Sequence, residues 1–219
     1  MKDYTIVSNA VIKRLPRYRR ILKDLLKKKV NVISSNGLGG LINFTASQVR
    51  QDLNNFGTFG LQGYGYNVEK LYNQINTILG LENTYKMVIV GTGNLGQAIA
   101  NYTRFYKSGF QVVALFEVNP KLIGLKINDI EVIDFNEIDK YLSKNQIDIG
   151  IITTNKDSAQ AVADKLAKGG VKGIWNFAAA DLNIPDNIAV ENVHLSDSLR
   201  LLAYHINQND LRVEEKISS

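Results

Sequence analysis

Cysteine is absent from this 219-residue chain, which excludes disulfide frameworks and thiolate metal sites and points to a reducing, cytoplasmic setting. Histidine occurs only at positions 194 and 205, so the usual general base and metal ligand is missing from all but the last part of the sequence. No apolar run approaches the roughly 18 residues that a membrane-spanning helix needs. Met1 to Asn9 is too short and mixed for a secretory leader, so a soluble intracellular protein is expected.

What is present is enough for a sizeable core. With 45% apolar and 21% charged residues, the length suits one or two domains, and two are expected. Charge is divided unevenly between them. Residues 1 to 80 carry 12 Lys and Arg against 4 Asp and Glu, while residues 81 to 219 carry 14 against 17. A basic module joined to a slightly acidic body suits a polyanion partner, because neutralising phosphates is the main sequence-independent contribution to nucleic-acid affinity.

Within the basic module, Ser8 is placed as the cap of a short helix to Leu15, and Pro16 opens a second, amphipathic helix with Tyr18, Ile21, Leu22, Leu25 and Leu26 on one face. Val30 to Ile33 reads as an extended link. Ser34 or Ser35 caps a glycine-rich helix, Asn36 to Ile42, held by Leu38, Leu41 and Ile42 and ended by Asn43. Thr45 and Gln48 have the spacing of a reciprocal capping box, so a further helix is expected from Ala46 to about Phe56, burying Val49, Leu53 and Phe56. Its outer face carries Ser47, Gln48, Arg50, Gln51, Asn54 and Asn55, side chains able to read base edges in a major groove. Glycines alternating with aromatics from Gly57 to Val68 suggest a hairpin, the wing of a winged-helix fold. The DNA contacts expected from this layout are Lys13, Arg17, Ser47, Gln48, Arg50, Gln51, Asn54, Gln62 and Tyr64.

After an apolar helix, Val68 to Leu81, comes the apolar run Met87 to Val90, leading into Gly91-Thr92-Gly93-Asn94-Leu95-Gly96 and a helix expected over Asn94 to Tyr106. A G-x-G-x-x-G turn between strand and helix is the fingerprint of dinucleotide binding. Its first glycine makes the turn, its second lets the backbone approach a pyrophosphate and its third lets helix and strand pack. The next strand, Gln111 to Phe116, ends at Glu117, 21 residues past Gly96. An acid there accepts from the adenosine ribose and repels a 2′-phosphate, favouring NAD(H) over NADP(H). Alternation of strands and helices continues to Ala189–Val193, describing a doubly wound sheet. Val118 and the strand-end loop Thr153, Thr154 and Asn155 join the glycine turn and Glu117 as candidate cofactor contacts. A last helix, Ser196 to about Asn209, has an apolar face suited to packing across a dimer.

An oxidoreductase would need an acid or base beside the nicotinamide and a domain to hold its substrate, and neither is apparent. The chain instead resembles the Rex redox-sensing transcriptional repressors of bacteria. The resemblance rests on Arg14-Leu15-Pro16 with Tyr18, Ser34-Ser35, Gln48-Val49-Arg50 with Asp52-Leu53, Phe56-Gly57 through Gly65-Tyr66, Val90 to Gly96, and Lys172-Gly173-Ile174 with Asn176-Phe177-Ala178. It implies an α/β architecture: a winged-helix domain over 1–82, a Rossmann-like NAD(H)-binding domain over 83–194 and a domain-swapped helix and tail over 195–219. It further implies a homodimer that binds operator DNA when NADH is scarce and releases it when NADH binds, without enzymatic turnover. A small NAD-dependent oxidoreductase is the competing expectation.

By the same resemblance, contacts that couple the domains fall on Arg14, Tyr102 and the start of the last helix. There His194 stands where the family commonly has an acid. Leu61-Gln62-Gly63 replaces a usual Lys-Arg-Gly in the wing, and Gln51 a usual cation, so the salt dependence of DNA binding should be shallower by about 0.9 per lost phosphate contact.

Overall fold

The computed structural model describes residues 7–57, 60–61 and 64–217, with side chains as far as residue 208 apart from Leu61. The chain falls into two compact units, residues 1–83 and 84–219.

The first unit is built on α1 (Asn9–Lys27), an amphipathic helix whose Val11, Leu15, Tyr18 and Leu22 are buried at spacings of three and four. The expected break at Pro16 does not occur, and one helix runs through it. An interior proline costs about 3 kcal/mol, but each fully buried large side chain returns about 1.5–3 kcal/mol. A stripe of such side chains continuing past an exposed Pro16 therefore outweighs the break. Ser8 holds the N-cap position without a side-chain capping bond.

β1 (Val32–Ile33) was expected as a link but is a strand, because the later hairpin supplies it with a partner. α2 (Ser35–Ile42) is capped by Ser34, whose hydroxyl accepts from the Gly37 amide at 3.0 Å, and ends at Asn43 in the left-handed region (φ 56°). Leu38 and Ile42 are buried as expected, whereas Leu41 lies exposed. α3 (Ala46–Asn54) follows at once, then β2 (Gly60–Leu61), β3 (Gly65–Asn67) and α4 (Val68–Ile78). The strands pair antiparallel in the order β1-β3-β2, with Ile33 and Gly60 flanking Tyr66. Leu38, Val49, Leu53, Phe56, Leu71 and Ile75 close the core against α1. Helix, turn, helix and a small hairpin sheet make this a winged-helix module.

The second unit is a seven-stranded sheet. Its strands are β4 (Tyr85–Val90), β5 (Phe110–Glu117), β6 (Lys126–Ile127), β7 (Ile130–Asp134), β8 (Ile149–Ile152), β9 (Gly173–Asn176) and β10 (Ala189–Asn192), in the order β10-β9-β8-β4-β5-β7-β6. All neighbours are parallel except β6 and β7, joined through Asn128 and Asp129 at φ 50° and 63°, the two-residue left-handed turn suited to a hairpin. α6 (Ile138–Lys144) and α7 (Lys156–Lys168) cover one face through Ile138, Leu142, Val162 and Leu166.

α5 (Asn94–Ala100) lies on the other face, with Ile99 and Ala100 against Met87, Ile89 and Leu115. It stops six residues short of the expected Tyr106. Tyr102 and Phe105 have helical spacing but instead form an aromatic chain with Trp175 and Phe177, ring centroids 4.6 to 5.7 Å apart. α8 (Leu195–Ile217) extends past the expected end near Asn209.

Candidate functional site

The sheet's strand order reverses between β4 and β8, where parallel open sheets bind ligands at the carboxyl ends of their strands. A cleft of about 480 Å³ lies there, lined among others by Gly91, Gly93, Phe116, Glu117, Thr153 and Asn155. Gly91 has φ 96°, and a Cβ on it would sit 2.9 Å from the Thr153 carbonyl oxygen. A Cβ on Gly96 would lie 2.0 Å from the Gly91 carbonyl oxygen, so only glycine lets α5 start this close to β4. Around Gly93, by contrast, nothing lies within 4 Å of the Cβ position. That space adjoins the start of α5, whose first amides have no side-chain cap, and such amides are the donors that hold a phosphate.

Glu117 is fixed with care at the end of β5. Its Oε2 accepts from the Thr92 amide at 2.6 Å and the Thr92 hydroxyl at 2.9 Å, and its Oε1 from the amides of Val118 and Asn119 at 2.8 and 3.1 Å. Burial works against the charged form, but these bonds outweigh it and hold the carboxyl below its ordinary range. Thr92 is itself fully buried, so the glycine loop and the acid form one unit. Just past the end of β8, the Thr153 hydroxyl shares its one proton between the carbonyls of Gly91 at 2.7 Å and Val90 at 3.1 Å. Asn155 caps α7 by accepting from the Ser158 amide at 3.0 Å.

The expected cofactor residues Gly91, Gly93, Glu117, Val118, Thr153, Thr154 and Asn155 thus line one cleft. Thr92, Asn94, Leu95 and Gly96, also expected as cofactor contacts, lie in the turn and the first residues of α5 and are not part of that lining. Val90, Phe116, Phe135, Asp157, Ser158, Ala161 and Val162 complete the lining and were not foreseen. Phe135 follows directly on β7, a fourth parallel strand ending on the same side as Glu117, and that position was its available signal.

In the first unit α3 turns Val49, Asp52 and Leu53 inward and leaves Ser47, Arg50, Gln51 and Asn54 exposed. The Arg50 guanidinium donates to the Ser35 hydroxyl at 2.9 Å, bracing α3 against α2. Lys13 and Arg17 are exposed on α1, with the Arg17 guanidinium 5.2 Å from the Phe44 ring centre. Tyr64 stands 80% exposed at the hairpin turn, and Gln62 lies outside the described residues.

The capping box is only half formed. Thr45 accepts from the Gln48 amide at 3.1 Å, but the Gln48 side chain does not reach back. Its amide turns instead to Asp52, with Nε2 donating to Oδ1 at 2.7 Å, because a charge-assisted bond to a buried carboxylate is stronger than accepting from the solvated Thr45 amide.

Arg14, expected to join the two domains, is bonded inside the first unit, with Nε and Nη2 each donating to Asp52 at 2.6 Å. Tyr18 donates to the same carboxylate at 2.9 Å. Tyr102 packs on Phe105 in the second unit, and His194 borders a shallow hollow with Asp181, Asp197 and Arg200. Among the described residues no group of three His, Cys, Asp or Glu is arranged to hold a metal, and no helix is long and apolar enough to cross a membrane.

A winged-helix module with a polar second helix, carried on the same chain as a pre-built dinucleotide cleft, defines the class of ligand-responsive transcription regulators. A family model described as "Putative DNA-binding protein N-terminus" matches residues 6–54, and one described as "CoA binding domain" matches residues 82–180. The redox-sensing transcriptional repressor Rex of Caldanaerobacter subterraneus subsp. tengcongensis is 56% identical over 96% of this chain and 94% of its own length. That of Clostridium botulinum strain Hall is 59% identical over 93% and 97%.

Two solved structures agree. RSP, a Rex-family repressor, in complex with beta-NAD+ and operator DNA shares 56% identity over 96% of this chain and 97% of its own, at a TM-score of 0.89. RSP in complex with beta-NADH shares 54% over 95% and 98%, at 0.88. The chain belongs to the Rex family of redox-sensing transcriptional repressors. Its close relatives are repressors and not oxidoreductases.

Proposed function

We propose that a homodimer of this chain binds operator DNA through α3 and the hairpin and releases it when NADH occupies the cleft, so that transcription follows the ratio of NADH to NAD+ in the cytoplasm. Fermentative or respiratory genes suit such a signal. The observation that carries the reading is the presence in one chain of the two built sites, together with a relative solved both with beta-NAD+ and operator DNA and with beta-NADH.

The residues of the cleft fit a dinucleotide. Open space beside Gly93 and the uncapped amides of α5 suit a pyrophosphate, and Glu117 suits a ribose without a 2′-phosphate. Glu117 already accepts four bonds, about the capacity of a carboxylate. A ribose hydroxyl that reaches Oε2 would compete there with the Thr92 hydroxyl. The reduced nicotinamide is neutral where the oxidised ring is cationic, and desolvating a charge is costly, so a dry or hydrogen-bonded pocket distinguishes the two. A ligand shifts an equilibrium only by the difference in its affinity for the two states.

On the DNA side, we assign Lys13, Arg17 and Tyr64 to backbone contacts and Ser47, Gln48, Arg50, Gln51 and Asn54 to groove contacts. Operator binding measured at fixed salt with NADH, with NAD+ and without nucleotide tests the reading. Release by NADH alone is expected. Indifference to both nucleotides, or turnover of a substrate, would overturn it.

A further inference from the structure

Asp52 is an acid on the DNA-reading helix that faces inward. It is fully buried, and its two oxygens accept Arg14 Nε, Arg14 Nη2, the Tyr18 hydroxyl and Gln48 Nε2. Three of these four bonds come from α1, and the fourth from the side chain one helical turn earlier on α3. Arg14 holds both carboxylate oxygens in a bidentate fork, which fixes the plane of the carboxylate as well as its place.

That arrangement constrains Gln48 more than Asp52. A carboxylate only accepts, so the end of the Gln48 amide that meets it must be the NH2 and never the carbonyl. Among the described residues Gln48 Oε1 accepts no hydrogen bond, and Nε2 spends one of its two N–H groups on Asp52. In a major groove, the exocyclic amino group of adenine donates and its N7 accepts, whereas guanine offers two acceptors. A glutamine free to flip could suit either purine in part. A glutamine that leads with its oxygen meets repulsion from guanine O6 and complementarity from adenine.

We propose that Asp52 is a positioning residue for sequence readout, holding Gln48 in the one amide orientation that selects an amino-bearing base, adenine foremost, at a single position of each half-site. The proposal rests on the DNA-binding reading of α3. It makes the buried α1–α3 clamp a determinant of which base is chosen, and not only of how tightly the module folds.

The test selects preferred duplexes from a randomised pool with the wild-type dimer, Gln48→Ala and Asp52→Asn, then measures affinities for every single base-pair change in the wild-type choice, at two salt concentrations. In Asp52→Asn the acceptor-only constraint is lifted. Discrimination at one base pair per half-site should fall from about tenfold to twofold or less, while discrimination elsewhere and the salt slope stay as they were. Gln48→Ala should erase discrimination at that same base pair.

A loss of affinity spread evenly over all positions, or a Gln48→Ala effect at a different base pair, would overturn the proposal while leaving the repressor reading intact. Failure of the wild type to select any sequence would overturn the repressor reading instead. Should Asp52→Asn not fold, two measurements on folded protein decide. The side-chain amide protons of Gln48, assigned by their loss in Gln48→Ala, should resonate downfield in the wild type, and a position typical of solvated glutamine would sink the idea. Gln48→Glu cannot donate to Asp52 and meets it with like charge, so the preference for adenine at that base pair should be lost; an unchanged preference would count against it.

Discussion

Asp52 and Glu117 are placed alike at the scale of the residue: each carboxylate accepts four hydrogen bonds from its own unit. Burial alone would raise the Asp52 carboxyl, but the bonds from Arg14, Gln48 and Tyr18 outweigh it and bring it below its ordinary value of 3.8. A carboxyl lowered by folding stabilises the native state fully above that ordinary value and loses its contribution as pH falls through the folded one. Acid unfolding of the wild type should therefore steepen below pH 3.8, and Asp52→Asn should lack that limb. Arg14→Ala leaves the buried acid without its cation, which costs about 3 kcal/mol or more. Urea unfolding at neutral pH would show this, and an unchanged midpoint would mean that the pair contributes little. None of this was visible in the sequence, where Arg14 and Asp52 are 38 residues apart and a charge on a polar helix reads as solvated.

Among the elements, the turn from β4 to α5 was legible almost residue by residue, because the close approach of Gly96 and the left-handed Gly91 are demands that a spacing of glycines announces. Two substitutions separate its two tasks. A Cβ at position 96 strikes backbone, so Gly96→Ala should lower stability by about 1–3 kcal/mol, as overpacking does, and weaken NADH and NAD+ together. Gly93→Ala meets no protein atom, so the melting temperature should stay within a degree or two while nucleotide affinity falls at least tenfold. Calorimetric titration beside thermal melts checks both, and full nucleotide affinity in Gly93→Ala would remove the pyrophosphate from that space. Element ends were harder to read than element identities. Pro16 marks a start only when burial does not continue past it, and Tyr102 and Phe105 satisfy a helix period as well as they satisfy contact with Trp175.

For the molecule as a whole, α8 poses the question that periodicity raised and a single chain does not answer. Leu195, Leu199, Leu202 and Ile206 recur at spacings of three and four and are all more than half exposed. The sheet face shared with α5 holds an apolar cleft of about 430 Å³ lined by Met87, Phe105, Phe110, Ile149 and Trp175 among others. Apolar surface left on both a helix and a sheet in one chain suits burial against a second copy. The C-terminal helix is therefore expected to be a dimer contact, and the dimer to be what aligns two copies of α3 with the two halves of an operator. Paired substitutions Leu199→Glu and Leu202→Glu should convert the protein to monomers in analytical ultracentrifugation. They should lower operator affinity at least a hundredfold, since one module alone forfeits the second half-site. NADH affinity should change less than threefold if the cleft is complete within one chain. A variant that remains dimeric would place the interface elsewhere, and one that becomes monomeric and also loses NADH would show that the cleft draws part of its strength from the partner.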